Sequence, residues 1–165
     1  MITYSIALAT LNTPRDVCYI VEKHKTKFYN YTFQTHEDIL NYGKACDNEW
    51  MSGTWGNRIY RKAGGIPGWH QMLADTSASK MTEMMKKYLP DVHKNDVIIT
   101  VNDWTQDLMD EDEHEIERFL LNEENKLVQS YIALNGCMPV LNIQSTRSHP
   151  NVMIMFNNLF EEVSV

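Results

Sequence analysis

Four features of this sequence have the residue types and spacing to handle a phosphate. Tyr31 lies in the run FYNYTFQ, where Tyr29, Tyr31 and Phe33 alternate with Asn30, Thr32 and Gln34, the period-2 pattern of a half-buried strand. After a break at QTHED the run ILNYGK ends on Gly43 and Lys44. A glycine at a strand end lets a ligand approach the backbone, because no Cβ stands in the way. Beyond a polar, glycine-containing insertion come Arg58, Arg61 and Lys62, and no residue of 54–70 is acidic, so cations that suit a phosphate follow that glycine. The fourth feature is Glu124. It falls near the middle of the apolar arc of a long helical pattern, and an inward carboxylate is costly unless it is paired or bound to a metal.

The elements that must position these groups can be read in order. Residues 1–11 are apolar with some alternation, and strand and helix are not separable there. Thr13, Pro14 and Asp16 read as N-cap, first-turn proline and capping-box acid of a helix over 14–25; VCYIV leaves a strand as its rival. The FYNYTFQ and ILNYGK runs predict a β-hairpin or two neighbouring strands. A turn at 66–69 leads toward a short helix ending near Leu73. Met81, Met84, Met85 and Tyr88 recur at helical spacing, which predicts a helix over 79–89 that Pro90 stops, and the methionine stripe reads as core packing. DVIITV predicts a central strand over 96–101. The longest helix spans 110–134, with Asp110, Glu111, Asp112 and Glu113 at its positive end and Ile116, Leu120, Leu127 and Tyr131 as its buried stripe, Val128 and Leu121 beside it. Glu117 is the rival inward carboxylate, and Glu123 falls toward the edge of the arc. Asn135-Gly136 ends the helix by a glycine C-cap, Pro139–Asn142 forms a rigid return, 143–150 a loop and 152–156 a further strand.

Composition bounds the reading. The chain has 165 residues, 43% of them hydrophobic, enough for one domain over 1–165 with extensions at 1–26 and 143–165. No stretch approaches the ~18–20 apolar residues of a membrane span, and the first twelve residues lack a basic leader region, which predicts a soluble cytoplasmic protein without a signal peptide. Cys18, Cys46 and Cys137 are odd in number and far apart, so free thiols are expected rather than a disulfide frame or a zinc site. The net charge of −7 opposes bulk attraction to nucleic acid and leaves only a local basic strip for that purpose.

These motifs resemble the GIY-YIG nuclease family. Tyr29-Asn30-Tyr31 falls on the GIY motif and Asn41-Tyr42-Gly43 on YIG, with Lys44 on the lysine that often follows. The ten positions from Tyr31 to Asn41 and twelve from Tyr31 to Gly43 match the family's register. Glu124-Asn-Lys-Leu127-Val128 resembles the E-x-x-L-[IV] helix of the metal-binding glutamate, and Pro139-Val-Leu-Asn142 the closing P-x-x-N. The resemblance implies an α/β (α+β) fold with a small, mostly antiparallel central sheet flanked by helices. It also implies a DNA endonuclease or nickase that hydrolyses phosphodiester bonds with one Mg2+ or Mn2+. In that reading Glu124 holds the metal and Tyr31 takes a proton from the attacking water. Lys44 and Arg58 (preferred over Arg61) neutralise developing charge, and Asn142 positions its neighbours. Tyr42, Gly43, Arg61 and His70 have supporting places. Cutting both strands then needs a homodimer or two encounters, whereas a monomer nicks.

The sequence departs from the pattern at Asn41, where the family carries tyrosine, and in the longer stretch from Lys44 to Arg58, which holds Trp50 and Trp55. Tyr42 is no automatic substitute, since adjacent strand residues face opposite ways. The alternatives are a binding module for nucleic acid or protein with weakened catalysis, and an assembly protein in which Tyr31, Lys44, Arg58 and Glu124 are scattered.

Overall fold

The structure, a computed structural model, describes residues 1–12, 14–46 and 83–142. Its centre is a four-stranded antiparallel sheet, β1 (Ile2–Ala7), β2 (Phe28–Gln34), β3 (Ile39–Cys46) and β4 (Ile98–Asp103), in the order β1-β4-β2-β3. Helices α1 (Pro14–His24), α2 (residues 83–88), α3 (Thr105–Leu108) and α4 (Glu113–Asn135) surround it. The apolar opening is therefore a strand, followed by a 3-10 turn at Leu8–Thr10. What separation of strand from helix its own pattern lacked, pairing with β4 supplies: Ile6 stands opposite Ile99 and Tyr4 opposite Val101. This places residues 2–7, expected as part of an extension, inside the sheet.

The hairpin forms as expected. Its turn is closed by Thr35, whose N–H donates to the Asp38 carbonyl at 2.8 Å and whose hydroxyl accepts from the Glu37 and Asp38 N–H groups. Cross-strand register sorts the sheet into two faces. Tyr29, Tyr31 and Phe33 stand opposite Ala45, Gly43 and Asn41 on one side and Asp103, Val101 and Ile99 on the other. That face is covered by Leu8, Leu11, Met85, Val97 and Leu141, with Ile20 of α1 and Met84 packed against them. The methionines of the 79–89 helix that fall among the described residues thus serve the core.

Helix α4 crosses the other face over β2 and β3. Asp112 is its N-cap, accepting from the Glu115 N–H at 2.9 Å, and Gly136 ends it in the left-handed conformation at φ 74°, its N–H bonded to the Ile132 carbonyl. The strand β2 is consequently buried on both faces rather than half-buried. Its polar residues Asn30 and Thr32 lie under the helix, while β4, which α4 does not reach, keeps alternate burial. Asn30 is tolerated there because its amide is satisfied: Nδ2 donates to the Leu120 carbonyl at 3.1 Å and Oδ1 accepts from Trp104 Nε1 at 3.1 Å. Helix α3 was not legible in the sequence. Its first residue, Thr105, ties β2 down, accepting from the Lys27 and Phe28 N–H groups. Thr13, the turn at 66–69 and the strand at 152–156 lie outside the described residues.

Candidate functional site

Of the candidate residues, those described lie on or beside the edge strand β3, and its register with β2 decides which face of the sheet each takes. Tyr31 stands opposite Gly43, and the far end of its ring lies over the bare Cα of that glycine. A Cβ at Gly43 would overlap the hydroxyl end of the ring, against Cζ and the hydroxyl oxygen, with Cε2 at 2.6 Å. The phenol therefore leans across the outermost strand toward its margin, although the side chain as a whole is buried. The glycine is needed for this ring as much as for any ligand.

Lys44, the next residue, points to the opposite face, which it shares with Asn30 and Tyr42. This is the side on which α4 packs. Glu124 is buried at 5% exposure on that helix, one turn beyond Leu120, whose carbonyl Asn30 holds. Its inward position agrees with the angular reading. Glu117 is exposed, and Glu123 is half-buried in an ion pair with Lys126 at 2.9 Å. Tyr31 and the Lys44–Glu124 side thus leave the sheet from opposite faces, and β3 at Gly43 lies between them.

Pro139–Asn142 closes part of the β3 margin. The Leu141 N–H donates to the Leu40 carbonyl at 2.9 Å. The Asn142 side chain pairs with the backbone of Tyr42 like a further strand, Oδ1 accepting from N–H at 2.8 Å and Nδ2 donating to the carbonyl at 3.1 Å. Asn41 is fully buried beside it. Its Nδ2 donates to the Leu141 carbonyl at 3.0 Å and to Asn142 Oδ1 at 3.4 Å, while its Oδ1 has no hydrogen-bond partner among the described residues. Tyr42 does not share the face of Asn41. It faces α4, packs edge-to-face on Tyr131, and burial, with the Asp38 charge adding to it, pushes its phenol above the ordinary value.

Arg58, Arg61 and His70 lie outside the described residues. No group of three or more His, Cys, Asp or Glu side chains among the described residues is arranged to hold a metal ion. Sequence reading missed Asn30, Trp104 and Asn41 as structural supports. The available signal was a polar residue on a strand otherwise built of aromatics, but only the overlying helix makes such residues internal. No helix among the described residues is long and apolar enough to cross a membrane. Compared with protein-family models, curated proteins and solved structures, the chain matches none.

Proposed function

We propose that the chain is a nuclease of the GIY-YIG type that hydrolyses or nicks the phosphodiester backbone of DNA with Mg2+ or Mn2+. The observation that carries this reading is the seating of Tyr31 on Gly43, which brings a phenol to the sheet margin beside backbone that has no Cβ. The buried carboxylate of Glu124 and the clamp of Asn142 on Tyr42 support it. Because Tyr31 and Glu124 lie on opposite faces of the sheet, a phosphate would have to reach both at the margin of β3.

Glu124 would hold the ion through its carboxylate. Held there, a divalent ion would supply the charge that polarises the scissile phosphate and steadies the leaving 3′ oxygen. Tyr31 would take the proton of the attacking water as its phenolate, ending the step as the neutral phenol. Lys44, with Arg58 from outside the described residues, brings positive charge to the phosphate, where negative charge gathers in the transition state. Asn142 acts on the backbone of Tyr42 and so fixes the strand that carries Gly43 and Lys44.

A second reading, a binding module of the same fold without catalysis, is favoured by one observation. At Asn41 an amide replaces the family's tyrosine, and its Nδ2 is occupied by Leu141 and Asn142. Supercoiled plasmid incubated with Mg2+ distinguishes the two. The parent is expected to produce nicked circles and Glu124→Ala to produce none. Retained DNA binding without cleavage by either protein would replace the hydrolase with the binding module. Equal cleavage by both would remove Glu124 from the reaction.

A further inference from the structure

The turn of the β2–β3 hairpin and the last turns of α4 enclose a cleft of about 340 Å³. Two of its walls are Tyr42 and Tyr131, whose rings meet edge to face with centroids 6.4 Å apart and planes at 78°. Glu37, Asp38 and Leu134 form the rim, and Leu134 is 86% exposed. No lysine or arginine is found among the described residues that line it, and the basic side chain present is the exposed His36. Asp38 Oδ1 accepts from the Tyr131 hydroxyl at 2.5 Å and from the Ile39 N–H at 2.8 Å. Its Oδ2 has no hydrogen-bond partner among the described residues.

Burial keeps both phenols protonated, helped at Tyr131 by the hydrogen bond to Asp38. Two neutral rings set nearly at right angles present electron-rich surface, and two carboxylates stand beside them. This combination attracts an alkylammonium group and repels a phosphate. The cleft is thus chemically unsuited to a nucleic-acid backbone, and what it takes does not depend on the nuclease reading. Its rim residues Glu37, Asp38 and Leu134 are all exposed, so a free small amine would not gain the enclosure such ligands ordinarily have. The apolar Leu134 at the mouth suits a larger surface that brings its own side chain. We propose that this cleft receives a lysine side chain of a partner protein, its methylenes against the aromatic corner and its ammonium between Asp38 and Glu37. The chain's net charge of −7 favours the approach of such a basic partner.

The test is an amide NMR titration of the ¹⁵N-labelled full chain, without DNA, using N-acetyl-lysine N-methylamide as the lysine probe. Saturable shifts are expected at Tyr42, Tyr131 and Leu134. The norleucine analogue, which keeps the methylenes and loses the charge, should produce none, and butylamine should bind more weakly than the lysine probe. Asp38→Asn retains an acceptor for Tyr131 and Ile39 and should still fold, with binding about fivefold weaker, as loss of one exposed charge contact implies. Glu37→Gln, which touches no hydrogen bond of the turn through its side chain, should weaken binding in the same direction. Equal binding of norleucine would make the cleft an apolar groove, and butylamine as tight as the lysine probe would make it a free-amine site. Either result, or no saturable shift at these residues, overturns the proposal.

Discussion

Gly43 is the position where one added carbon meets the most resistance. In Gly43→Ala the new methyl overlaps the Tyr31 ring, and neither can move freely, because Tyr31 is held edge-on by Phe33 at 5.8 Å and tilted against Tyr29 at 6.1 Å. The expected loss is about 1–3 kcal/mol, the usual range for overpacking a filled core, read from the urea midpoint. In a Tyr31→Ala background the same methyl should cost much less, and a double-mutant cycle measures the difference. An additive cycle would mean that the ring and the glycine do not meet. At this scale the sequence was informative about Glu124, since the angle of a side chain on a helix follows from its position number. It was silent on Asn30 and Asn41, whose burial depends on what is laid over the strand.

Among the elements, the 139–142 return acts as a substitute strand on β3. Asn142→Ala removes two hydrogen bonds to the Tyr42 backbone and the contact from Asn41, leaving a fully buried amide without one of its acceptors. We expect a loss of about 1–3 kcal/mol and faster hydrogen exchange at the Tyr42 amide, with exchange in β1 and β4 little changed. Uniformly faster exchange would mean that the return stabilises the whole sheet rather than its margin. The hairpin, the central strand β4 and the long helix were legible because each carries its own period. The strand β1 and the short helix α3 were not. A six-residue apolar run is identified as a strand only by its partner, and a four-residue helix is too short to show a period.

At the scale of the whole molecule, β1, the end of α1, β4 and the start of α3 are joined by a hydrogen-bonded chain. The Tyr4 hydroxyl pairs with Thr26 Oγ1 at 2.8 Å, Thr26 donates to Asp103 Oδ2 at 2.8 Å, and the Thr105 N–H donates to Asp103 Oδ1 at 2.9 Å. His24 stacks flat on Tyr4 at 3.7 Å. Burial pushes the Tyr4 phenol from 10.0 up to about 12; the Thr26 hydrogen bond lowers it somewhat and Asp103 raises it further. The unfolded chain therefore ionises first, so this stability is complete below pH 10 and is lost as pH rises toward 12. His24 has the opposite sign. Burial, then Lys23, lowers its imidazole below 6.5 against an upward pull from Asp103, so its contribution is present above pH 6.5 and lost as pH falls below it. Urea midpoints across pH should show both limbs, with Tyr4→Phe making the alkaline one shallower while Tyr42 and Tyr131, whose phenols are also raised, maintain the rest, and with His24→Gln flattening the acid one. The net charge of −7 adds a further expectation. If the chain binds DNA, a few local cations must do so against the molecular field, and affinity should fall by orders of magnitude between 50 and 200 mM salt only if about 6–10 phosphates are contacted. The net charge of −7 predicts few phosphate contacts and so a much shallower slope, measurable by filter binding.

The sequence alone was sufficient for two strands at 28–34 and 39–44, the inward turn of Glu124 and the glycine stop of the long helix, because each follows from periodicity or from the backbone freedom of one residue. The side of the sheet from which each group acts was decided by tertiary structure. Strand alternation sends Tyr31 and Lys44 to opposite faces, but it does not say which face α4 covers, nor that the phenol returns across Gly43 to the margin between them. Those outcomes depend on how the helix packs and on the one backbone position where a ring finds no Cβ in its way.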